Sequence, residues 1–90
     1  MFRTGPAFIL RSIAGENLLI PTGEAALSVK GLIALSESGL LLYEKLKGGC
    51  ERSELIAALL AEYEVSASQA EADTDAFLHQ LRQLNMLVEE

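Results

Sequence analysis

Chemistry-bearing side chains are scarce in this sequence. One cysteine, Cys50, and one histidine, His79, stand among 90 residues. A lone cysteine makes no internal disulfide, so nothing ties the chain to an oxidising compartment. Structural zinc takes four Cys or His ligands, and these two residues fall in separate predicted elements, with neither HExxH nor CxxC spacing. Cations are also few: seven Lys and Arg against thirteen Asp and Glu leave a net charge of −6 at pH 7. Binding to a phosphate backbone rests on Lys and Arg, so nucleic acid is not an expected partner. No apolar run nears the ~20 residues of a membrane span. The apolar stretch Ala7–Leu10 is broken by Arg11, short of the roughly 7–15 residues of a secretory signal core. The expectation is a cytoplasmic protein with no membrane partner, no metal and no cofactor.

What the sequence does have is core material. Half its residues are hydrophobic and 22% are charged, the balance of a packed domain and not of a disordered tail. Ninety residues support one core, so a single domain spanning 1–90 is expected. Ala7–Ala14 and Asn17–Ile20 are short and rich in Phe, Ile and Leu, and the turn signal Gly15-Glu16-Asn17 between them predicts a hairpin. Pro21-Thr22-Gly23 stops the second strand, because proline donates no ladder hydrogen bond. After the small-residue loop Glu24–Ser28, Val29–Leu35 predicts a third strand, with Gly31 its weak point.

From Ser36 the apolar period lengthens from two to about 3.6. Leu40, Leu41, Tyr43 and Leu46 form the stripe of a first helix, with Ser36 as its N-cap and Gly48-Gly49 as its stop. Leu55, Ile56, Leu59, Leu60 and Tyr63 mark a second helix from about Arg52 to Glu64. Ser66-Ala67-Ser68-Gln69 fits a capping box for a third, whose stripe is Ala70, Thr74, Phe77, Leu78, Leu81 and Leu84. Asn85 ends it, since Asn tolerates the left-handed conformation. Met86-Leu87-Val88 is expected to be an extended tail folded back on the core. Three strands followed by three helices, each with an apolar face to bury, give an α+β, winged-helix-like domain: a three-stranded antiparallel sheet followed by a three-helix bundle.

Catalysis needs a nucleophile with a base, paired carboxylates or a metal. Cys50, near the start of the second helix, could have its pKa lowered by the helix dipole, but Glu51 adjoins it and His79 is the sole imidazole; an incidental thiol is expected. His79 faces away from the apolar stripe and reads as solvated. Glu71, Asp73 and Asp75 read as carboxylates favoured near a helix N-terminus. Gly48-Gly49 lacks the continuation of a phosphate-binding loop. The chain is therefore expected to be no enzyme but a binding module. A small sheet has open edges whose unpaired N–H and C=O groups an extended peptide can complete.

The order of segments is itself recognisable. Arg11-Ser12-Ile13-Ala14-Gly15-Glu16-Asn17-Leu18-Leu19-Ile20-Pro21-Thr22-Gly23, then Gly31-Leu32-Ile33-Ala34-Leu35-Ser36-Glu37-Ser38-Gly39, resembles the PqqD-like family, whose namesake is coenzyme PQQ synthesis protein D. Glu54-Leu55-Ile56, Leu59-Leu60-Ala61-Glu62-Tyr63-Glu64-Val65 and Asp73-Thr74-Asp75-Ala76-Phe77-Leu78-His79-Gln80-Leu81 look like its second and third helices. Ser36, Tyr43, Thr74 and Asn85 depart from the family's frequent Asn, Trp, Val and Gly. Ser keeps a cap, Tyr keeps an aromatic and Asn keeps left-handed tolerance. Thr74 loosens the packing slightly.

The resemblance implies a RiPP recognition element: a small domain that binds the leader of a ribosomally made precursor peptide and presents it to a modifying enzyme, often a radical SAM protein. The leader is expected to add as a strand to Val29, Lys30, Gly31, Leu32, Ile33 and Ala34. Thr74, Leu78 and Arg82 are the expected helix-side neighbours, placed by helical angle and not by a family motif. Pyrroloquinoline quinone and other modified peptides both stand as products of such a pathway. Two other readings share the architecture. A winged-helix DNA-binding regulator would carry cations on its third helix, where Arg82 stands alone against Glu71, Asp73 and Asp75. A structural or oligomerisation domain would pair its strand edge with a second copy as a homodimer.

Overall fold

The structure, a computed structural model, describes residues 1–5, 8–23 and 33–89. Its elements run β1 (Phe2–Thr4), β2 (Phe8–Ile13), β3 (Glu16–Pro21), β4 (Ile33–Leu35), α1 (Glu37–Lys47), α2 (Arg52–Glu62), α3 (Ala67–Gln83) and β5 (Leu87–Glu89). The expected hairpin is β2–β3, but its reversal lies one residue earlier than the sequence suggests. Ala14 (φ 53°) and Gly15 (φ 81°) make the turn, and Glu16 already pairs with Ile13. A two-residue loop with both φ positive matches the right-handed twist of the strands. Gly15 adopts it freely, whereas Ala14 costs roughly 1–2 kcal/mol.

The sheet is antiparallel in the order β2–β3–β4. Its register sets Leu10 opposite Leu19 and Leu19 opposite Ile33, so alternate residues including Phe8, Leu19 and Leu35 turn inward and are buried. Ile9 and Ile13 lie on the other face and are exposed. β4 is the end of the expected third strand; Val29–Leu32, the loop Glu24–Ser28 and Ala7 lie outside the described residues.

All three expected helices form. In α1 the buried face is Gly39, Leu42, Tyr43 and Leu46. The run Leu40-Leu41-Leu42 carries no phase of its own, and packing selects Leu42 where Leu40 and Leu41 were expected. In α2, Leu55 and Leu59 are buried while Leu60 is exposed. Its start is fixed by Glu54, whose carboxylate accepts from the Glu51 N–H at 2.8 Å. In α3, Ala70, Thr74, Phe77, Leu78 and Leu81 are buried as the stripe predicts. Half of its expected capping box is made. Ser66 Oγ accepts from the Gln69 N–H at 3.1 Å, but the Gln69 amide reaches forward to Asp73 Oδ1 at 2.8 Å. Asn85, at φ 57°, closes the helix. The Met86 N–H donates to the Leu81 carbonyl at 2.9 Å and that of Asn85 to Arg82 at 3.2 Å, a Schellman arrangement that drives Met86 into the core.

The tail that follows becomes β5, paired antiparallel with β1, an element the sequence reading missed. β1 is also held from a second direction: Phe2 and Cys50 exchange backbone hydrogen bonds at 2.8 and 2.9 Å. Two ion pairs pin α3 to its neighbours. Arg52 grips Asp75 through Nε and Nη2 at 2.7 and 2.9 Å, holding that carboxyl below its usual range, and Arg82 grips Glu89 at 3.3 and 2.7 Å. The acidic residues of α3 therefore do not serve its dipole. The helix starts at Ala67, so Glu71, Asp73 and Asp75 lie beyond its first turn.

One core group is unsatisfied. Thr74 is fully buried, and its Oγ1 has no hydrogen-bond partner among the described residues. Such a hydroxyl keeps its desolvation cost without recovering it. Thr74→Val preserves the shape and removes the hydroxyl, and is expected to raise the unfolding free energy by about 1 kcal/mol, read as a higher urea midpoint at unchanged slope; an unchanged or lower midpoint would refute the reading.

Candidate functional site

A single residue separates β4 from α1. Ser36 ends the strand and caps the helix, its Oγ accepting from the Gly39 N–H at 3.1 Å. This fixes the outer edge of the sheet against the helical layer. On its inner side β4 pairs with β3 through Ile33–Leu19, Ala34–Leu18 and Leu35–Asn17; along its other edge no described strand is paired.

Beside that junction the helices leave a cleft. One hollow, about 390 Å³, is walled by Leu59, Tyr63 and Val65 and reaches Glu37 and Asp73. A second, about 260 Å³, continues along α3 past Ala76, Phe77 and Gln80. Both share Ser36, Ser38 and Asp73, so they form one trough across the N-terminal end of α1. Gly39 leaves room for the Ser36 cap: a Cβ on it would stand a tight 3.3 Å from Ser36 Oγ and in ordinary contact, 3.6 Å, with Phe77 Cε1 of α3.

The structure distributes the expected site residues unevenly. Val29, Lys30, Gly31 and Leu32 lie outside the described residues. Ile33 is half-buried on the inner face of β4 and Ala34 is exposed on the outer face. Thr74 and Leu78 are core residues with almost no exposed surface, and Arg82 is engaged by Glu89. Thr74 and Leu78 point inward because they belong to the stripe that packs the helices, whereas Arg82 is exposed and turned to Glu89. The stripe turned toward the cleft is Asp73, Ala76, Phe77 and Gln80, offset by one position. Its spacing of i, i+3, i+4 and i+7 was present in the sequence but mixes polar and apolar types, so periodicity alone did not mark it.

Among the described residues no reactive constellation accompanies the cleft. His79 is exposed, and no group of three or more His, Cys, Asp or Glu among the described residues is placed to hold a metal ion. Cys50 is buried, and the lowered pKa considered for it is reversed. Burial pushes the thiol up, helped by the carboxylates of Glu54 and Glu51, which outweigh Lys45 and the N-terminal ammonium. No described helix is long and apolar enough to cross a membrane.

A sheet with an outer strand running directly into the first of three helices, and a trough where they meet, defines a winged-helix-like α+β domain. The sequence model of the family described as Coenzyme PQQ synthesis protein D (PqqD) matches residues 23–87, and the chain belongs to that family. Two solved structures share its fold at a TM-score of 0.78. One, described as "Lasso peptide synthetase B1 complexed with the leader peptide", is 22% identical over 98% of this chain and 98% of its own. The other, described as "TbiB1 in Complex with the TbiA(beta) Leader Peptide", is 23% identical over 98% of this chain and 96% of its own. No curated protein matches the sequence.

A buried, acid-flanked thiol is a poor nucleophile. Cys50 is expected to react with a chromogenic disulfide on the order of 100-fold more slowly in the native protein than in urea, since access requires local opening. Equal rates would mean that the β1–Cys50 contact does not persist in solution.

Proposed function

We propose that this protein is a RiPP recognition element, a peptide-binding adaptor without catalytic activity of its own. It takes the leader of a ribosomally made precursor peptide as an added strand on the outer edge of β4 and presents the peptide to a modifying enzyme of the radical SAM class in the cytoplasm. The observation that carries this reading is the outer edge of β4, along which no described strand is paired, lying next to the trough along α3. Main-chain pairing supplies affinity in such strand addition, and side-chain pockets supply selectivity. Membership of the PqqD family supports it, as does the leader peptide bound in both solved structures of the same fold. The guest-binding surface is then Val29, Lys30, Gly31, Leu32, Ile33 and Ala34 on the strand side. On the helix side Asp73, Phe77 and Gln80 take the place first given to Thr74, Leu78 and Arg82. The DNA-binding alternative finds little support: the one cation of α3, Arg82, is paired with Glu89.

Titrating a labelled sample with a candidate leader peptide is expected to shift amide resonances of residues 29–35 and 73–80. Shifts confined to the β2–β3 hairpin would place the site elsewhere, and concentration-dependent sedimentation without peptide would favour self-pairing of the edge. Ile33→Pro removes an N–H from the strand to which the guest is proposed to pair. A variant that keeps its circular dichroism is expected to lose about fivefold in peptide affinity, one hydrogen bond's worth; unchanged affinity would reject this strand register.

A further inference from the structure

We infer that the trough beside Ser36 selects guest peptides in which an apolar side chain is accompanied by a lysine or arginine. The inference rests on the strand-addition reading above and specifies the chemistry of the guest. The trough is apolar at its base, where Leu59, Tyr63 and Val65 converge, and acidic at its rim, where Glu37 and Asp73 stand with no Lys, Arg or His among the lining residues. Neither carboxylate forms an ion pair with a described residue. Asp73 is steadied through Oδ1 by the Gln69 amide at 2.8 Å, while its Oδ2 accepts no hydrogen bond from a described residue. The last turn of α2, ending at Glu62, adds the negative end of a helix dipole on the same side. The opposing positive end of α1 is answered by its own Ser36 cap and by Glu37 in its first turn. The protein's charge of −6 reinforces the bias at longer range.

Topology fixes which part of the guest is read. β4 runs toward Ser36, so a peptide paired antiparallel to it places the residues preceding its paired stretch over the trough. An apolar side chain there enters the Leu59–Tyr63–Val65 hollow, and a cation within one or two positions reaches Glu37 and Asp73 at the rim.

The test is a selection of randomised 15-residue peptides displayed against the full chain and, in parallel, against Glu37→Gln/Asp73→Asn. Both positions are exposed, so the variant is expected to fold. Peptides selected on the unaltered protein should pair an aromatic or branched residue with Lys or Arg, and those selected on the variant should keep the apolar residue and lose the cation. In a synthetic peptide from the first pool, Lys→Gln should weaken binding about tenfold to the unaltered protein at low salt and leave binding to the variant unchanged. Selected peptides without enriched cations, or with a cation whose removal costs both proteins equally, would overturn this inference while leaving peptide binding standing. Recovery of no peptide at all would overturn the strand-addition reading and this inference with it.

Discussion

The hydrogen bond from the Gly39 N–H to Ser36 Oγ holds the functional geometry together. One residue converts an extended chain into a helix, so the sheet edge and the first helix have no linker through which to drift apart. Ser36 also lines both parts of the trough. The side chain that stops the strand and starts the helix thus stands where a paired peptide would leave the sheet. A longer connection would let strand pairing and pocket filling occur independently, and the benefit of having one follow from the other would be lost.

Behind this junction the core works as a backing plate. Leu19 and Leu35 from the sheet and Leu42 and Leu46 from α1 are buried in the same cluster as Leu55, Leu59, Leu78 and Leu81. Ion pairs Arg52–Asp75 and Arg82–Glu89 then fix α3 at two points along its length. As exposed pairs they add little to stability, but their bidentate geometry restrains the helix against rotation. Rotation of α3 by one residue's angle would carry Asp73 and Gln80 away from the trough.

The features legible in the sequence were those with a local cause. Ser36, Ser66 and Asn85 marked helix ends because a hydroxyl or a left-handed residue satisfies or terminates a helix irrespective of the rest of the fold. The α3 stripe was equally plain. Features with a distant cause were hidden: β1 exists because residues near the two ends of the chain pair with each other and with Cys50, and nothing in Phe2-Arg3-Thr4 announces that. Leu40-Leu41-Leu42 could not reveal its phase, and Asp75 looked like a dipole partner until Arg52 was found opposite it. For the site, only the end of the strand, Ile33–Leu35, can be compared, since residues 29–32 lie outside the described residues, and the helix side was not readable. Thr74 and Leu78 were chosen from the stripe that the core had already claimed.

The β1–β5 ladder bears on how this domain can be joined to others. Phe2 faces Glu89 across it, and the pair sits by Cys50, just beyond the far end of α1, about 16 Å along that helix from Ser36 at ~1.5 Å per residue. A link made through either end would therefore leave the domain from one side, the side away from the trough.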